Sequence, residues 1–111
     1  MAVIVKTNNP ESLLASIKKE INSNTIDTWS VDNDGDFTHT PEQWINKAWF
    51  TPRIYAGELR FGILSPKDVK ITTFIYGVYH GRFIEMLLNH FDDAFTQAYA
   101  TSQLTEPDFF E

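Results

Sequence analysis

Arg53 and Arg60 fall where a hairpin turning at Ala56-Gly57 sets two guanidinium groups directly opposite each other. In that register Tyr55 faces Glu58, Ile54 faces Leu59 and Pro52 faces Phe61. Phe50, Pro52, Ile54, Leu59, Phe61 and Ile63 then share an apolar face, while Thr51, Arg53, Tyr55, Glu58 and Arg60 share a polar one. Such alternation belongs to a sheet with one buried side. Like charges opposed across a ladder are destabilising unless something neutralises them. The polar face therefore needs either a Glu58 bridge or an anion from outside. A second cationic group, His80-Gly81-Arg82, reads as the point where a strand passes into a helix. N–H groups at a helix start favour an anion, Gly81 would allow close approach, and Arg82 offers a two-pronged contact. Arg53, Arg60, His80, Gly81 and Arg82 thus form a candidate anion site. The plainer reading makes His80 a helix cap and Arg82 a surface residue.

Other chemistry is thinly represented. Asp32-Asn33-Asp34-Gly35-Asp36-Phe37 resembles part of a calcium loop, but with Gly35 at the sixth position the first ligand is Ser30 and the twelfth is Pro41. The flanks also read as strands, where that motif needs helices. A solvated hairpin turn is expected, and no metal site. The three imidazoles, His39, His80 and His90, lack the helical H-x-x-x-H spacing of a zinc site, and no G-x-S-x-G elbow is present. With no cysteine, thiol chemistry, disulfides and Cys-ligated clusters are excluded. No cofactor and no catalysis of its own are expected. A small enzyme or anion-binding protein built around Arg53, Arg60, His80 and Arg82 is the alternative.

The 111 residues carry a net charge of −6, which argues against nucleic-acid or anionic-membrane partners. The charge is segregated. Asp27, Asp32, Asp34, Asp36 and Glu42 form an acidic stretch without a cation. Between Gln43 and Arg82, Lys47, Arg53, Arg60, Lys67, Lys70 and Arg82 outweigh Glu58 and Asp68. From Phe83 onward the sequence has Glu85, Asp92, Asp93, Glu106, Asp108 and Glu111 and no Lys or Arg. A basic strand region can face an acidic partner surface, another copy of the chain included. No apolar run reaches membrane-spanning length, and Met1–Lys6 lacks the pattern of a signal peptide. A cytoplasmic location is expected.

These residues must be carried by a small set of elements. Val3–Lys6 reads as a strand, and Asn9-Pro10 as the cap and first residue of a helix whose Leu13, Leu14, Ile17 and Ile21 recur at helical spacing to about Asn22. Asp27–Thr40 reads as a hairpin. A three-residue loop with Gly35 left-handed pairs Val31 with Phe37 and Trp29 with His39, giving one coherent face. Thr40-Pro41-Glu42-Gln43 opens a short helix ending near Lys47. After the Phe50–Leu64 hairpin, Val69–Tyr79 reads as a strand apolar on both sides. A helix then runs from about His80 to Thr101 on Phe83, Met86, Leu87, Phe91, Phe95 and Ala98.

The order is β-α-β-β-short α-β-β-β-α. It predicts an α+β fold: a mostly antiparallel sheet of five to six strands, with two main helices packed on one face. Residues 1–104 form one domain, and 105–111 an acidic, aromatic tail. Trp29, Trp44, Trp49 and Tyr55 belong to core or rim. The open sheet face would invite a partner, so a homodimer through it is expected. Phe109 and Phe110 of the tail either fold back or dock on another protein. The function expected is therefore a small binding or regulatory domain.

Overall fold

The computed structural model describes residues 2–103. A six-stranded antiparallel sheet is built from β1 (Ala2–Lys6), β2 (Trp29–Val31), β3 (Phe37–His39), β4 (Trp49–Tyr55), β5 (Glu58–Leu64) and β6 (Gln97–Ala100), in the spatial order β2-β3-β4-β5-β1-β6. The helices are α1 (Pro10–Asn22) and α2 (Thr73–Phe91), the latter followed by a single 3-10 turn, Asp92–Ala94. The fold is α+β.

Local chemistry sets the first half of the chain. The Asn9 side chain accepts the Ser12 N–H at 3.3 Å, and Pro10 opens α1. Leu13, Ile17 and Ile21 form its buried stripe. In the β2–β3 hairpin Trp29 pairs with His39 and Val31 with Phe37, with Gly35 at φ +84° as the left-handed loop residue. In the β4–β5 hairpin Arg53 lies opposite Arg60 and Tyr55 opposite Glu58, with Gly57 at φ +71° in the turn. Val3, Val5, Leu59, Phe61, Ile63, Phe50, Phe37 and Trp29 supply one sheet face to the core. Leu13, Ile17 and Ile21 of α1 and Tyr76, Tyr79, Phe83, Met86 and Leu87 of α2 complete that same core. Phe83 is its hub, with ring centroids 4.5 Å from Phe61, 4.9 Å from Trp29 and 5.0 Å from Phe50.

Three expectations are corrected. The segment after Thr40 is a run of turns, not a short helix: Trp44 and Ile45 N–H groups both bond to the Pro41 carbonyl, and Asn46 at φ +61° turns the chain out of helical geometry. The Thr38 hydroxyl reaches the Ala48 carbonyl at 2.9 Å and the Tyr79 hydroxyl donates to the Trp44 carbonyl, which ties the segment to β3 and α2. Val69–Tyr79 is not a strand. Thr72 caps α2, accepting the Ile75 N–H at 3.2 Å, and the helix begins at Thr73. Nor does the helix reach Thr101. It ends at Phe91, and Gln97–Ala100 returns as an edge strand beside β1. The order among the described residues is β-α-β-β-β-β-α-β. The tail, with Phe109 and Phe110, lies outside the described residues.

Candidate functional site

Because both helices cover one face, the other face of the sheet carries the alternate side chains. The ladder registers align them in rows. Arg53, Arg60, Ile4 and Tyr99 form one row across β4, β5, β1 and β6. Tyr55, Glu58, Lys6 and Gln97 form the next. Directly paired residues point to the same side of a sheet, so the hairpin fixes this surface once its register is fixed.

Glu58 is the centre of the second row. Its carboxylate accepts from Lys6 Nζ at 2.6 Å and from Arg60 Nε, and its side chain is 11% exposed. The Lys6 hydrogen bond first, then that of Arg60, holds the Glu58 carboxyl below its usual range. The same carboxylate raises both cations above theirs. The Arg60 guanidinium also stands 4.7 Å over the Tyr55 ring. Glu58 thus answers Arg60, jointly with Lys6. Arg53 is exposed one strand away on the same surface.

The second half of the expected anion site is elsewhere. His80, Gly81 and Arg82 lie inside α2, about two turns past its first residue. Their backbone N–H groups face helical carbonyls rather than an open helix start. His80 is buried, with Nδ1 2.7 Å from the Tyr76 carbonyl and its ring edge-on to Phe50 at 5.1 Å. Arg82 is exposed and reaches Glu85 at 3.4 Å. Since α2 packs on the core face, the sheet separates Arg53 and Arg60 from His80, Gly81 and Arg82. The five residues are not one site.

The acidic hairpin turn keeps its carboxylates close. Oxygens of Asp32, Asp34 and Asp36 lie within 4.8 Å of one another. Asp32 Oδ1 accepts the N–H groups of Asp34 and Asp36 at 2.9 and 3.0 Å, so it serves the turn itself.

Two features escaped the sequence reading. Tyr99 joins the cationic face only because β6 is a strand; the alternation of Gln97, Ala98, Tyr99 and Ala100 was its one signal. The other is a cavity of about 380 Å³ between the β2–β3 ladder and the C-terminal half of α2, with His39 in its wall. His39 was visible as an imidazole, but its surroundings depend on non-local packing. No family model, curated protein or solved structure matches this chain.

Proposed function

We propose that the protein is a small binding domain whose helix-free sheet face takes an acidic, aromatic peptide segment. The first occupant is the tail of a second copy, residues 105–111. One observation carries this reading: Arg53, Arg60, Tyr55 and Tyr99 converge in neighbouring rows on the face that neither helix covers. Arginine and tyrosine are enriched where protein surfaces bind, because they combine contact area with directed hydrogen bonds. Glu58 pre-sets the Arg60 side chain, which reduces the ordering that binding must impose. Two such faces stacked on a two-fold axis would set arginines against arginines. A segment with Glu106, Asp108 and Glu111 around Phe109 and Phe110 answers both the charge and the aromatic surface. Reciprocal exchange of that segment gives a closed dimer. The absence of cysteine fits a reducing compartment such as the cytoplasm.

The test uses a chain ending at residue 104 and a synthetic peptide of residues 105–111, followed by amide NMR. Binding should move the Arg53, Tyr55, Arg60 and Tyr99 signals. It should weaken about ten-fold or more in Arg53→Glu and with rising salt. Light scattering of the full chain should show self-association that the shortened chain lacks. Shifts that avoid these residues, or an affinity indifferent to Arg53→Glu, would refute the reading.

A further inference from the structure

On the opposite side of the sheet, the geometry points to a second binding site, for a neutral hydroxylated ring of monosaccharide size, in the cavity walled by His39. The cavity holds about 380 Å³, near the lower end for small-molecule pockets and enough for one ring. Its inner wall is built from Ile26, Trp29 and Met86, all buried, together with His39 at 5% exposure.

His39 gives the site its chemistry. Its Nδ1 lies 2.7 Å from the Thr28 carbonyl. A carbonyl only accepts, so Nδ1 carries the hydrogen and Nε2 is left with its lone pair. Among the described residues Nε2 has no hydrogen-bond partner, although the ring itself is fixed by Thr28 and by Trp29 at 4.6 Å. His39 lines the cavity, so this oriented acceptor takes its hydrogen bond from whatever fills it, water or ligand. A ligand hydroxyl supplies one.

The rim narrows the class. Arg82 is its one Lys or Arg, and the Glu85 carboxylate stands 3.4 Å from it. Asp27 adds a second carboxylate, so the rim offers no surplus positive charge to hold an anion. Arg82 in turn opposes a cation. Gln43 and Asn89 each present a donor and an acceptor. Groups that both give and take hydrogen bonds, around a hollow walled in part by aromatic rings, suit vicinal hydroxyls, which do the same. Trp44, half-buried in the wall, provides apolar surface for the C–H side of such a ring.

The experiment titrates the full-length protein, labelled in its histidine and tryptophan side chains, with glucose, galactose, mannose, xylose and myo-inositol in turn, up to ~100 mM. At least one should shift the His39 and Trp29 signals, with a dissociation constant of ~1–10 mM, the range open to a single ring. His39→Phe keeps a ring against Trp29 but removes the Nε2 acceptor, and should weaken binding about ten-fold or more. Asn89→Ala and Glu85→Gln change exposed residues, leave the core intact, and should each weaken it as well. They carry the test should His39→Phe fail to fold. Three results would overturn the assignment. One is no response to any of the five compounds. Another is a response unchanged in all three variants. The third is tighter binding of glucose 6-phosphate than of glucose, which would make the cavity an anion site.

Discussion

Replacing Glu58 with Gln keeps the shape of the side chain and removes the one charge that joins Lys6, Arg60 and the second row of the sheet. The glutamine can still accept a hydrogen bond from one cation, but it no longer neutralises either. The Arg60 guanidinium is 25% exposed at the side chain, so its bond to Glu58 is largely shielded from water. Hydrogen bonds to charged groups are worth about 1.5–3 kcal/mol. The Lys6 ammonium is open to solvent, and its contact is discounted altogether. Arg53 then stands opposite an Arg60 that has lost its carboxylate. Together these terms place the loss near 2 kcal/mol, on the order of 10 °C in Tm for a chain of this size. Urea unfolding at several pH values is the assay. Because the folded state lowers the Glu58 pKa from its ordinary 4.5, the stabilisation is complete above that value and disappears as pH falls through the depressed one. The gap between wild type and Glu58→Gln should therefore close in acid. Arg60→Gln should cost less, since Lys6 remains to meet Glu58 and one of two opposed cations is gone. A Glu58→Gln loss below about 0.5 kcal/mol at pH 7, or a gap that stays constant into acid, would refute this account of the face.

Two further outcomes are expected. Gly35→Val places a β-branched residue at φ +84° and should cost about 1 kcal/mol or more in thermal unfolding, whereas Asn33→Ser in the same exposed turn should cost little. Burial lowers the His39 pKa from 6.5, the Thr28 carbonyl opposes that shift, and of the charged neighbours Arg82 lowers it and Glu85 raises it. The unfolded chain therefore takes up this proton more readily, so stability should fall as pH drops from about 6.5 through the lower folded value, and His39→Phe should flatten that part of the profile.

The legible parts of this chain are those in which short-range chemistry and the buried pattern agree. In the β2–β3 hairpin only one loop length puts Val31, Phe37, Trp29 and His39 on one side and leaves Gly35 where positive φ is required. A loop one residue shorter or longer would flip one strand's face, so the turn determines the register. The β4–β5 hairpin is similar, and with it came the opposition of Arg53 and Arg60. The segment before His80 is different. Ile71, Thr72, Thr73, Ile75 and Val78 favour a strand by residue type. A strand, however, would send Tyr76 and Tyr79 to opposite faces, whereas a helix brings both into the core with Phe83. Packing wins there, and propensity is the weaker guide. That substitution dissolved the expected anion site, because a free helix start at His80 was its premise. It also emptied a place in the sheet that β6 fills. Ala98 and Ala100 are poor strand formers, but they lie opposite Val5 and Val3 on the only edge of β1 that β5 leaves unpaired. An unpaired edge beside the core must be bonded or covered. What recruits β6 is thus the hydrogen-bonding need of the first strand, ninety-odd residues earlier, and no local window of the sequence contains it.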